Sequence, residues 1–200
     1  MKHAILVLFL TFPLAAAAQD FSYDYVEGSY GHAESDDNRA SIDYDAAALA
    51  LGWAPAEHVY TRFGASYADV DDSQLDIRAL SATIGGRVPL GGNMDLYLGA
   101  LAAYQRYSDV GFDSDLDGSG LGAEIGLRTR LFPQLELEVN GTFLDLLWGD
   151  IDDYTGDTND FTGSLAARFY ATPALSIGGA WSYAFDSETE TLSGALRYDF

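Results

Sequence analysis

The segment Thr191–Phe200 reads TLSGALRYDF. Leu192, Leu196, Tyr198 and Phe200 share one parity, and Ser193, Arg197 and Asp199 share the other. Side chains of an extended chain alternate between faces with a period of two, so this stretch is a strand with one apolar and one polar face. An open apolar edge invites pairing with other chains, and closure into a barrel removes it. A last strand ending on an aromatic therefore points to an up-and-down membrane barrel whose final strand pairs with its first.

The alternation recurs upstream. Thr61, Phe63, Ala65 and Tyr67 oppose Arg62, Gly64 and Ser66; Leu121, Ala123, Ile125 and Leu127 oppose Gly122, Glu124, Gly126 and Arg128. Leu135, Leu137, Val139 and Phe143 oppose Glu136, Glu138, Asn140 and Thr142, and the runs 161–170 and 175–185 behave alike. The run 95–107 is apolar on both parities and does not phase itself. Pro55, Pro89, Pro133 and Pro173 fall 34, 44 and 40 residues apart and mark short turns, because proline cannot donate to a central ladder. Between them lie acidic segments at 34–43, 69–76, 109–117, 150–160 and 186–190, which hold 20 of the 31 acids. The pattern predicts ten strands, near 21–33, 44–53, 59–68, 77–88, 95–107, 120–131, 135–147, 161–170, 175–185 and 191–200. Each is close to the length that crosses a bilayer at a tilt. The expected fold is all-β: a ten-stranded antiparallel up-and-down transmembrane barrel, with short turns and both termini on the periplasmic side. A soluble β-sandwich is the competing fold.

Lys2, the apolar run Ala4–Ala18 and the small residues Ala16–Ala18 predict a signal peptide over 1–18, leaving 19–200 as the barrel domain. Lys2 is the only lysine, so nine arginines then face 31 acids, a formal charge of −22. Nucleic acid is excluded as a partner because phosphate binding needs a basic face. Cysteine is absent, so no disulfide supports an exported chain.

Ten charged residues fall on the polar parity: Glu27, Arg62, Arg87, Glu124, Arg128, Glu136, Glu138, Arg168, Arg197 and Asp199. Five arginines and five acids pointing into a narrow lumen predict an internal ion-pair network, since buried charges pair. Such a network fills the lumen and argues against an open pore, which takes 16–18 strands.

Tyr23–Gly31 (YDYVEGSYG) and Gly122–Arg128 (GAEIGLR), with the acidic loops and the aromatic C-terminus, resemble small Gram-negative outer-membrane proteins of the xanthomonad type, once described as secreted activators of plant immunity. The resemblance implies an outer-membrane, porin-like barrel and supplies no catalytic residues. The last strand departs from the usual assembly signal by carrying Ala195 where a glycine is expected.

Asp113–Glu124 (DSDLDGSGLGAE) matches the spacing of an EF-hand calcium loop. The flanking sequence alternates as strand, so the expectation is a looser Ca²⁺ or Mg²⁺ site at Asp113, Asp115 and Asp117, with no other cofactor. The remaining acidic loops, as a group, would meet divalent cations and lipopolysaccharide phosphates. His32 with Asp36 or Asp37 is the one acid–histidine pairing available for hydrolysis, and no serine motif accompanies it. The function expected is a non-enzymatic, porin-like barrel with a narrow or plugged lumen, serving envelope integrity or limited passage of small solutes. Its expected partners are outer-membrane lipids, lipopolysaccharide and the barrel assembly machinery. The alternatives are a surface-interaction protein acting through its acidic loops and, third, an outer-membrane hydrolase.

Overall fold

The computed structural model describes residues 21–37, 40–71, 75–108, 115–150 and 159–200. Ten strands follow in chain order: β1 (Tyr25–Asp37), β2 (Ala40–Ala56), β3 (Val59–Val70), β4 (Asp76–Pro89), β5 (Met94–Ser108), β6 (Leu116–Phe132), β7 (Leu135–Gly149), β8 (Asn159–Tyr170), β9 (Leu175–Ala184) and β10 (Thr189–Asp199). Each pairs antiparallel with its chain neighbours, and β1 pairs with β10 from Tyr25↔Asp199 to Ser35↔Thr189. The sheet is a closed barrel with no free edge, the arrangement that the Thr191–Phe200 alternation implies. Among the described residues no helix is long and apolar enough to cross a membrane, a statement that leaves strands as the crossing elements.

Short connections at residues 57–58, 90–93, 133–134 and 171–174 gather at one end, here the turn end. Pro133 and Pro173 sit within these turns, Pro89 closes β4, and Pro55 falls in the bulge that offsets Trp53 from Ala56. Gly91 adopts φ +112° in its turn, a conformation that a β-carbon would strain. The strand ends that border the acidic segments, with the described connection at 185–188, lie at the opposite, loop end.

The outward face is apolar. Leu49, Leu51, Leu80, Ile84, Leu98, Leu121, Ile125, Val139, Leu165, Ile177 and Leu196 are all exposed there. Trp53, Phe132, Phe169, Tyr198 and Phe200 form an outward aromatic band near the turn end. Tyr30, Tyr67, Tyr104, Phe143, Phe161 and Trp181 form another toward the loop end. A water-soluble sandwich would bury these groups; a barrel in lipid presents them to hydrocarbon and interface. Pairing also settles β5: Leu96, Leu98 and Tyr104 point out, and Asp95 and Tyr97 point in and are buried.

The strands differ from expectation in two ways. Most run longer, up to 17 residues, because the sheet continues past the loop-end aromatic band. There the outward residues become charged, among them His32, Asp45, Arg78, Arg106 and Glu190. Alternation of apolar and polar groups ends at the membrane boundary, but ladder pairing does not. The first strand begins at Tyr25 rather than Phe21. Residues 21–24 leave the ladder and fold into the turn end of the lumen, where Phe21 and Tyr23 are buried against Tyr60 and Tyr97. The predicted signal peptide, 1–18, lies outside the described residues.

Candidate functional site

Among the described residues the closed sheet encloses the lumen, and its middle and its turn end differ in chemistry. Toward its middle the inward side chains are small and half-exposed, such as Ala48, Ser66, Ser81, Ser164 and Ser193. Toward the turn end they are large, charged and buried.

All ten charged residues selected by parity lie on inward positions of their strands, and Glu136 is the acceptor on which two of their arginines converge. Its Oε1 accepts from Arg128 Nη2 at 2.8 Å and from Arg168 Nη1 at 2.9 Å, and its Oε2 accepts from the Tyr170 hydroxyl at 3.1 Å. Arg168 also donates from Nη2 to Glu27 at 2.8 Å. Glu138 accepts from the Tyr97 hydroxyl, and its Oε2 lies 4.0 Å from both Arg128 and Arg168. Arg62 donates to Glu124 at 3.2 Å, and Tyr60 donates to the other Glu124 oxygen at 2.8 Å. Arg197 and Asp199 pair along β10 at 2.7 Å. Arg87 stands to one side, paired with Asp95 at 3.4 Å.

Sequence reasoning missed two charges of this set. Asp95 is the second residue of β5, the strand that did not phase itself; the Pro89 turn, by placing Arg87 opposite Tyr97, carries the information that would have phased it. Arg130 shares the parity of Arg128 and lies 3.7 Å from Glu136 Oε2, but its place at the end of β6 reads as rim. With both included, six arginines meet six carboxylates. The balance follows from burial: an uncompensated charge in so enclosed a space costs several kcal/mol, about 3–5 when one partner of a buried pair is lost.

The N-terminal segment packs against the same end of the lumen. The Ser22 carbonyl accepts from Arg128 Nη1 at 3.2 Å and Arg197 Nη2 at 2.7 Å, and the Phe21 carbonyl accepts from Arg87 Nη1 at 3.3 Å. Asp24 accepts from the Ala54 amide at 2.8 Å. Arginine faces cover the aromatic rings: Arg128 lies 5.0 Å from the Phe21 centroid and 4.9 Å from that of Tyr23, and Arg87 lies 4.9 Å from Tyr23. Tyr23 packs 5.3 Å from Tyr60, which meets Tyr97 edge-on at 5.7 Å. Burial pushes the Tyr23 phenol up to about 12, so it stays neutral. Nothing in the alternation of 21–33 separates Phe21 and Tyr23 from true strand residues. Their density of aromatics on the polar parity of a narrow barrel was the available signal.

The remaining expectations fall on the loop end. Asp113 lies outside the described residues. Asp115 accepts a paired hydrogen bond from Arg106, Asp117 belongs to β6 opposite Arg106, and Glu124 is deep in the lumen. Glu124 thus cannot close a calcium shell around Asp115. Among the described residues no three histidine, aspartate or glutamate side chains converge as a metal site. His32 points outward above the aromatic band, 3.0 Å from Asp45 and 3.7 Å from Glu34. The side chains of Asp36 and Asp37, its expected partners, are not among those described.

A closed antiparallel barrel with an apolar, aromatic-banded exterior and a polar interior defines a transmembrane β-barrel. The chain belongs to the family described as outer membrane protein beta-barrel domain, whose pattern matches residues 4–169. No curated protein matches it. Among solved structures it is similar to the NanC porin, with a TM-score of 0.56 at 6% identity over 88% of this chain and 100% of the porin. It is also similar to an outer membrane channel from Pseudomonas putida F1, with a TM-score of 0.55 at 10% identity over 94% of this chain and 100% of the channel. The outer membrane protease OmpT from Escherichia coli aligns with a TM-score of 0.52 at 11% identity, over 92% of this chain and 100% of the protease. At these identities the likeness is one of fold.

Proposed function

We propose that this chain is a small, non-enzymatic, porin-like barrel whose lumen is closed near the turn end, so that it reinforces the envelope and passes at most small solutes. The observation that carries the reading is the lodging of Phe21–Asp24 inside the barrel, tied by the Ser22 carbonyl to Arg128 and Arg197. Six arginines and six carboxylates crowd the same end of the lumen. The porin and channel folds named above support the same class. The xanthomonad-type resemblance of Tyr23–Gly31 and Gly122–Arg128 adds the expectation of an outer-membrane protein without catalytic residues. In this reading the turn end is periplasmic, and the charged strand extensions and acidic loops face lipopolysaccharide, with divalent cations between like charges.

The test is conductance of the refolded full chain in a planar bilayer, with folding established by a heat-shifted gel band. The expected result is a folded barrel with little or no steady current. A large, steady current would overturn the closed-lumen reading and favour an open porin.

A second reading, contact with an envelope or host partner through the loop end, is favoured by the length of sheet standing beyond the loop-end aromatic band. Shortening the 150–160 loop should abolish partner capture if that reading holds. Hydrolysis is third: His32 and Asp45 pair on the outward face, with no serine nucleophile described beside them, and unchanged hydrolytic activity on His32→Ala would remove it.

A further inference from the structure

A cavity of about 230 Å³ lies within the lumen, between the N-terminal segment and the ion-pair network. Four guanidiniums line it, those of Arg62, Arg128, Arg168 and Arg197, against two carboxylates, Glu27 and Glu138. The acids that balance these arginines elsewhere, Glu124, Glu136 and Asp199, hold them from the wall and do not line the space. The lining thus carries more guanidiniums than carboxylates, and the three acids behind the wall compensate their charge.

Hydrogen bonding points the same way. A guanidinium carries five N–H donors. Arg62 spends one, from Nη1 to Glu124. Arg168 uses Nη1 and Nη2, for Glu136 and Glu27. Arg197 uses Nε and Nη2, for Asp199 and the Ser22 carbonyl. Donors on all three remain for whatever fills the cavity, and buried N–H groups find an acceptor or a water. An oxyanion would take them in short charge-assisted bonds, stronger than those a neutral solute would accept. On the loop side the next inward residues are small and uncharged, Ala48, Gly64, Ala166 and Ala195.

We propose that this cavity binds a small oxyanion, a phosphate, sulfate or carboxylate group, held by Arg62, Arg168 and Arg197. The proposal deepens the porin-like reading by naming the solute class. It rests on the lumen geometry of that reading, and a silent barrel can bind as well as a conducting one, so equilibrium binding and conductance fail separately.

The experiment uses the full chain refolded in a maltoside detergent, which carries no phosphate. Inorganic phosphate replaces chloride at constant ionic strength while ³¹P line width and the unfolding temperature are followed. The expected result is saturable ³¹P broadening with a saturable rise in unfolding temperature, as a ligand of the folded state alone produces. Sulfate and acetate, used as competitors, rank the oxyanion classes. Arg62→Gln with Arg197→Gln should weaken phosphate about tenfold, the loss of one or two charge-assisted bonds. If that pair does not refold, Arg62→Lys keeps the charge, loses the planar fork and should still weaken binding. A rise without saturation and without ³¹P broadening is general salt stabilisation, means that the cavity holds water only, and overturns the proposal. Saturable binding that these substitutions leave unchanged overturns it equally, since the site would then lie elsewhere.

Discussion

Ser22 and Arg197 stand 175 positions apart, yet the Ser22 carbonyl accepts a 2.7 Å hydrogen bond from Arg197 Nη2. Arg197 also stacks over the Tyr25 ring at 3.7 Å and pairs with Asp199. The first residues described thus meet the last strand twice, once through the β1–β10 ladder and once inside the lumen. The ladder closes the wall; the second contact ties the N-terminal segment inside the lumen.

Removing the rings that seat this segment should open the bore without opening the wall. Phe21→Ala with Tyr23→Ala deletes two buried rings and the arginine faces stacked on them, but no ladder hydrogen bond. In a dry core each truncation costs about 3–5 kcal/mol, and less where water can refill the space, as here. The expected outcome is a barrel that keeps its heat-shifted band and gains conductance over the unaltered chain. Unchanged silence in a folded variant would mean that the ion pairs alone close the lumen.

Glu136 is the carboxylate whose loss should cost most. Arg128, Arg168 and Tyr170 all bond it, Arg130 lies close, and it is 1% exposed. Glu136→Ala leaves buried guanidiniums facing one another, at a cost of about 3–5 kcal/mol. Glu57→Ala, on an exposed turn residue whose carbonyl alone is used, should cost nothing measurable. Denaturant midpoints of the two refolded variants, compared with the unaltered chain, decide the matter.

Much of this was legible beforehand because a barrel has only two faces. The C-terminal alternation, the proline spacing and the acidic loops were enough to count ten strands, and parity put Glu27, Arg62, Glu124, Arg168 and their partners on the inward side. What parity does not carry is position along the bore. It could not tell that Glu136 would sit among three arginines while Arg87 stands aside with Asp95, because that depends on strand tilt and register. Nor could it tell Phe21 and Tyr23 from strand residues, since a segment folded inside keeps the same alternation that it would show in the wall. The loop-end carboxylates Asp115 and Asp117 match a calcium spacing, but spacing is blind to Arg106, which takes up Asp115.

Gly126 tests how tightly the turn half is packed. A β-carbon there would fall within the Tyr97 ring, and Tyr97 cannot swing away because Tyr60, Glu138 and Asn140 all hold it. Gly126→Ala should lower the folded fraction sharply, read as loss of the heat-shifted band. Gly28→Ala meets nothing nearer than a Leu49 methyl at 3.6 Å and should refold normally. Equal behaviour of the two would show that Tyr97 has another place to go.

The outward face makes the most direct demand on the membrane reading. Ile84 is 60% exposed on β4, well inside the aromatic bands, and its inward neighbour Thr83 is buried. Ile84→Arg adds a charge that only hydrocarbon would punish, because in water an exposed arginine is harmless. In a bilayer the cost is about 2–4 kcal/mol at mid-depth, falling toward the interfaces. Val88→Arg, four residues further along the same outward face at the turn end of β4, should therefore cost much less than Ile84→Arg when both are refolded into lipid vesicles and unfolded by denaturant. In that comparison the depth of each residue, rather than its exposure, sets the order. An equal and small effect at both positions would mean that this face meets water and not lipid.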